Sequence, residues 1–159
     1  MEPHVATALA ADLESSSGTR TRLGALAAEG PLFVYGIKDG CPVNRVAQAH
    51  FDALARAYAG TVRFVGISNH RPDQFGPWRD EHAPSYPVLF DPSRAVIRGL
   101  GIQSSPWLVR IEPDGKVSGS WPGFGREGLG AVSGAMALAA GRPPAKLPFE
   151  GAPEKNRYG

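Results

Sequence analysis

The chain of 159 residues contains one cysteine, Cys41, in the stretch FVYGIKDGCPVNRV at residues 33–46. There an apolar run gives way to a helical pattern. Pro42 suits the first position of a helix, because the N–H it lacks would have no helical partner. Cys41 is then the N-cap. Free backbone N–H groups and the positive end of the helix dipole face its sulfur and favour thiolate, the form that attacks disulfides and oxidants. Lys38, in the same loop, acts in the same sense. The opposing reading is a small, buried and inert sulfur, as most free cysteines are.

The remaining reactive side chains are dispersed. His4, His50, His70 and His82 show no paired metal-ligand spacing with Cys41 or with each other, so neither a metal site nor a cofactor is expected. His50 falls on the apolar side of a helix and reads as packed. His70 follows the second apolar run, at the same sheet edge as Cys41, and is either a base or positive neighbour of the thiol or a surface loop residue. Gly123, Gly125 and Gly128 spell G-x-G-x-x-G, but neither a following parallel strand nor an acid about 20 residues on completes a dinucleotide site. A turn leading into a helix is the simpler reading.

The elements that position Cys41 follow from periodicity. Residues 4–14 and their Ala-rich pattern predict a leading helix ended by SSSG; TRLGALAAEGP is ambiguous. LFVYGI at 32–37 reads as a buried strand. Val43, Val46, Ala47, His50, Phe51, Leu54, Ala57 and Tyr58 recur at three and four residues and predict an amphipathic helix over 43–58, stopped by Gly60. Strands are predicted at 61–68, 86–91 and 107–112, with a helix at 72–82 broken by Gly76 and Pro77 and a short helix in RAVIRGLG. Asp114-Gly115 is a hairpin turn that returns Lys116–Trp121 antiparallel. A last helix covers 126–140, and residues 141–159, rich in proline, read as extended or mobile. Alternating strands and helices imply parallel pairings, and the hairpin adds an antiparallel edge, so the fold is an α/β sandwich on a mixed sheet. Cys41 lies at the carboxyl edge of that sheet, where open α/β folds place their sites.

These segments resemble the thioredoxin-like superfamily, within its redoxin group of TlpA-like and AhpC/TSA-like domains. The resemblance covers about residues 20–140. It is carried by LFVYGI then GCPVN, by VRFVGIS, by YPVLFD and above all by GIQSSPWLVRIEPDGKV. It implies a three-layer sandwich with a central sheet of four to five strands, preceded by an N-terminal helical extension over 1–19 and followed by a tail over 141–159. It also implies a cis Ser105–Pro106 bond packed against the thiol. Pro106 and Asn44 join Cys41 as the expected catalytic set, and Gly40, Pro42, Ser104, Ser105, Trp107, Lys38 and His70 are expected to border a groove for the partner.

Departures from the family pattern narrow the chemistry. The second cysteine of C-x-x-C is replaced by Asn44, so the chain alone cannot resolve a mixed disulfide. Asn44 is left with two readings, a hydrogen-bond donor to the thiolate or a solvated residue in the first helical turn. Tyr35 stands where the family has a buried carboxylate. The peroxiredoxin pattern P-x-x-x-T-x-x-C has Val34 for its proline and Lys38 for its threonine, and Pro106 takes the place of its arginine. The resemblance therefore implies thiol-disulfide exchange through a single cysteine, with a protein or low-molecular-weight thiol as partner. A non-catalytic binding module and a thiol peroxidase are the alternatives.

Composition sets outer bounds. A formal net charge of +2, with charges of both signs interspersed, gives no footprint for nucleic acid or an anionic membrane. A lone cysteine excludes an internal disulfide, and no apolar run approaches a membrane span. A cytoplasmic protein is expected, with export open if a leader has been removed. Oligomeric state has no signature.

Overall fold

The computed structural model describes residues 2–147 and 149–159. In chain order the elements are helix α1 (Pro3–Ala10), strands β1 (Leu13–Glu14) and β2 (Arg20–Thr21), helix α2 (Leu23–Ala28), strand β3 (Leu32–Ile37) and helix α3 (Pro42–Ala57). Strand β4 (Arg63–Ser68), a 3-10 turn (Pro72–Gln74), α4 (Gly76–His82), β5 (Val88–Phe90) and α5 (Ala95–Gly99) follow. The hairpin β6 (Trp107–Ile111) and β7 (Val117–Pro122) and the helix α6 (Arg126–Ala140) complete the order.

The main sheet runs β5-β4-β3-β6-β7, with β3 parallel to β4 and antiparallel to β6. Every residue of β3 is buried, which is why its sequence is a continuous apolar run and not an alternating one. Its side chains still alternate between two cores. Phe33, Tyr35 and Ile37 join Phe51, Leu54 and Met136 under α3 and α6, whereas Leu32 and Val34 join Leu9, Leu23 and Val96 under α1, α2 and α5. Three layers result, the thioredoxin-like sandwich of the sequence reading. Each fully buried Leu, Ile or Phe contributes about 1.5–3 kcal/mol of transfer free energy to it. The Asp114–Gly115 turn closes β6 onto β7 with Gly115 at φ 87°, a left-handed conformation that glycine adopts without strain.

Two expectations need correction. The leading helix stops at Ala10, and Leu13–Glu14 pair antiparallel with Arg20–Thr21 in a hairpin that straddles the expected boundary at 19/20. Between Pro72 and His82 the helix is broken where Gly76 and Pro77 predict it: a 3-10 turn over Pro72–Gln74 ends at Phe75, and α4 starts afresh at Gly76 with proline in its first turn. On α3 the buried face is turned from the expected stripe: Val46 is 61% exposed while Asn44 and Gln48 are 1% exposed. Inward polar partners cause this, because Tyr86 donates its hydroxyl to Gln48 Oε1 at 2.7 Å and Asn44 donates to Tyr35.

The proline-rich tail has no helix or strand element among its described residues, in keeping with the extended reading, and it docks on the α3–α6 core. The Ala145 N–H donates to the Tyr58 hydroxyl at 2.9 Å, and Ala152 is buried in the α3–α6 core. Arg126 reaches the Ala152 carbonyl with Nε at 2.9 Å and the Glu150 carbonyl with Nη2 at 3.1 Å. Arg157 then forms an antiparallel bridge with Phe124. Among the described residues, no helix is long and apolar enough to cross a membrane.

Candidate functional site

Three local features place Cys41. Strand β3 ends at Ile37, Gly40 takes φ 75° in the following turn, and the Cys41 N–H closes that turn on the Lys38 carbonyl at 3.3 Å. Cys41 is the N-cap of α3, with extended φ −80° and ψ 115°, and Pro42 occupies the first helical position. Its Sγ accepts the Asn44 backbone N–H at 3.4 Å, one of the helix-terminal donors that lack a helical partner. On its other side the thiol faces the Ser105 carbonyl oxygen at 3.5 Å. The Ser105–Pro106 bond is cis. Ser105 is itself fixed, its hydroxyl donating to the Gly36 carbonyl at 2.9 Å.

Asn44 donates to the sulfur through its backbone and is not solvated. Its backbone N–H serves the sulfur, while its side chain turns inward and donates Nδ2–H to the Tyr35 hydroxyl at 2.7 Å. Tyr35 is fully buried and stacks on Phe51 with ring centroids 4.3 Å apart. Burial holds the pKa of its hydroxyl well above the ordinary tyrosine value, with Tyr86 and Cys41 adding in the same direction. Where a buried carboxylate would exchange protons, this chain has a neutral phenol.

His70 is buried at the same sheet edge and is not the surface residue of the bland reading. Its Nε2 lies 3.1 Å from Asp39 Oδ1, its Nδ1 pairs with the Ser68 hydroxyl, and its ring packs edge-on against Phe75. Its polar partners are therefore Asp39 and Ser68, not Cys41. Burial lowers its pKa, and the Asp39 carboxylate pulls the other way. Lys38, Ser104 and Ser105 do come together, lining a cleft of about 480 Å³ with Arg94, Arg98 and Ile102. Trp107 turns toward the α1–α2–α5 core, and its indole N–H donates to the Ser120 hydroxyl at 2.8 Å. Among the described residues, no group of three or more His, Cys, Asp or Glu side chains could hold a metal ion.

Sequence reasoning missed what covers the sulfur. The Gly159 N–H donates to the Ser105 carbonyl oxygen at 2.7 Å, so one carbonyl faces both the thiol and the tail. Cys41 is 8% exposed beneath it. No periodicity marks this contact, because a strand held by one bridge and one backbone bond has no repeating side-chain pattern. The single available signal was the glycine series at 123, 125 and 128, which makes room for the returning chain.

The site can supply one nucleophilic sulfur, a backbone donor to stabilise its anion and a backbone acceptor beside it. The model of the AhpC/TSA family matches residues 6–120. No curated protein is significantly similar in sequence. Among solved structures, peroxiredoxin Q of Xanthomonas campestris is similar with a TM-score of 0.71 and 21% identity, over 85% of this chain and 94% of that one. The MTB dsbF structure is similar with a TM-score of 0.70 and 16% identity, over 87% and 99%. The exposed lipoprotein thioredoxin Etrx1 of Streptococcus pneumoniae gives 0.69 and 18%, over 80% and 98%. At these identities the likeness is one of fold.

Proposed function

The chain belongs to the AhpC/TSA family, and on that premise we propose that it is a monothiol redox protein that exchanges disulfides through Cys41. Thiolate Sγ attacks one sulfur of a partner disulfide; the new S–S bond joins Cys41 to the partner, and the partner's other sulfur leaves as thiolate. A second thiol from solution or from the partner then attacks this mixed disulfide, takes the partner's sulfur and returns Cys41 to thiol. Asn44 at the place of a resolving cysteine makes that external thiol obligatory. The partner is a protein or a low-molecular-weight thiol.

One observation carries the reading: Cys41 Sγ sits between a helix-terminal N–H at 3.4 Å and the carbonyl before a cis proline at 3.5 Å. The N–H stabilises charge on sulfur in attack and departure alike, and the carbonyl offers a partner's backbone a hydrogen bond in the manner of strand addition. The test is equilibration of the reduced chain with glutathione disulfide, read by intact mass. The expected product is one glutathionyl adduct, absent from Cys41→Ser and reversed by added thiol. No adduct at equilibrium would overturn the proposal.

The burial of Cys41 favours a second reading, a binding module in which the sulfur only fills space. In that case Cys41→Ser retains every partner the wild-type chain holds, and no partner is held covalently.

A further inference from the structure

The tail over Cys41 follows a definite register. Residues 156–159 lie beside the end of β7 and the loop after it as an extended segment held by one antiparallel bridge. The Phe124 N–H donates to the Arg157 carbonyl and the Arg157 N–H to the Phe124 carbonyl, both at 2.8 Å, and the Asn156 side chain donates to the Pro122 carbonyl at 3.3 Å. Two residues on, the Gly159 N–H meets the Ser105 carbonyl at 2.7 Å. Alternate N–H groups of one extended segment are thus paired along a line that ends at the active sulfur, as in an added strand.

The protein surface is shaped for this segment. A Cβ at Gly123 would lie 2.9 Å from the Arg157 carbonyl oxygen and 2.8 Å from the Tyr158 ring, and one at Gly125 would lie 3.1 Å from the Asn156 backbone nitrogen. These glycines belong to the G-x-G-x-x-G series of the sequence. Their absent side chains leave the track on which the tail runs. Arg126 secures the segment before it through the Glu150 and Ala152 carbonyls. At the far end, a Cβ on Gly159 would collide with Cys41 Sγ and with the Ser105 carbonyl oxygen. No side chain fits at position 159 in this register; the Cα–Cβ direction there is toward the thiol, the direction a partner's cysteine takes from a backbone set further back.

We propose that Asn156–Gly159 is a pseudo-substrate strand, occupying the partner groove of Cys41 with a glycine where the partner presents cysteine. The inference rests on the disulfide-exchange reading for its meaning, and its geometry stands apart from it. Partners are then extended polypeptide segments that replace the tail on Phe124 and Ser105, and the thiol is reached when the tail lifts.

Alkylation of Cys41 by iodoacetamide reads the tail directly. Two altered chains are compared with the wild type, one lacking residues 156–159 and one carrying Arg157→Pro, which removes the N–H given to Phe124. Both are expected to alkylate at least about tenfold faster, as local opening of a cover allows, and a peptide of residues 150–159 is expected to restore protection to the shortened chain. Equal rates in all three chains would overturn the proposal. Register is read with Gly159→Ala. Its methyl cannot fit beside Cys41 Sγ and the Ser105 carbonyl, so this chain is expected to alkylate about as fast as the shortened one, and a wild-type rate would reject the register. The two readings fail separately. Faster alkylation without a glutathionyl adduct on the shortened chain rejects exchange and keeps the strand, and an adduct with unchanged alkylation rates does the reverse.

Discussion

The Asn44 side chain donates to the Tyr35 hydroxyl at 2.7 Å, with both residues buried, three residues along from the cysteine. This bond joins the first turn of α3 to the middle of β3 and holds the helix end, and so the Asn44 N–H, against the sulfur. Tyr35→Phe keeps the ring that stacks on Phe51 but leaves a buried amide without its acceptor. The expected cost is about 1–3 kcal/mol in urea unfolding. Asn44→Leu should cost a similar amount, and the double variant less than the sum by roughly 0.5 kcal/mol or more. Strict additivity would show that the pair does not couple.

Asn44→Cys restores a second thiol at the family's position. Residues three apart at a helix start lie within the Cα separation a disulfide spans, roughly 4.4–6.8 Å. With glutathione disulfide the variant should lose both thiols to an internal bond and accumulate little glutathionyl adduct, whereas the wild-type chain stops at the adduct. Intact mass with thiol counting reads the difference. A variant that stops at the adduct would show that the inward direction of position 44 prevents resolution. Some stability is lost with it, because the Tyr35 hydroxyl loses its donor.

Much of this site is legible in the sequence, for physical reasons that also mark where legibility ends. Strand β3, the Cys-Pro start of α3 and the Asp-Gly hairpin are local: an apolar run, a missing N–H and a left-handed glycine each act within a few residues. The orientation of α3 is not local. Val46 belongs to the apolar stripe and points to solvent, while Asn44 and Gln48 point inward because Tyr35 and Tyr86 wait there with hydroxyls. His70 lies two residues past a strand and two before a proline, as loop histidines do, and it is buried where Phe75 and Trp78 fold over it. The tail is least legible, since its contacts at Phe124 and Ser105 are some 30 to 50 residues away in sequence.

His70 and His50 both have pKa values lowered by burial. Each therefore binds a proton more weakly in the folded chain than in the unfolded one. Above about pH 6.5, the ordinary histidine value, both forms are neutral and this stability is fully present. As pH falls below it, the unfolded chain takes up protons first, and stability is lost until the folded-state pKa is passed. The urea midpoint should be lower at pH 5.5 than at pH 7.5, and His70→Gln should flatten part of that slope. A midpoint that rises on acidification would mean that the Asp39 carboxylate outweighs burial at His70.

Peroxide chemistry gives the last expectation. Attack of Sγ on hydrogen peroxide forms an S–O bond and breaks the O–O bond, and the departing hydroxide needs a donor as its charge develops. Among the described residues, the hydrogen-bond partners of the sulfur are the Asn44 N–H and the Ser105 carbonyl, and a carbonyl only accepts. The positions that carry threonine and arginine in the peroxiredoxin pattern hold Lys38, which is exposed, and Pro106. Each placed donor to a developing oxyanion is worth on the order of 10²–10³ in rate. With those donors missing, Cys41 in the chain lacking residues 156–159 should oxidise at a rate close to that of free cysteine, and in the full chain more slowly, because the tail covers the sulfur. Dimedone trapping of sulfenic acid under equimolar peroxide measures it. Rapid stoichiometric trapping in either chain would move the assignment from disulfide exchange to a peroxidase.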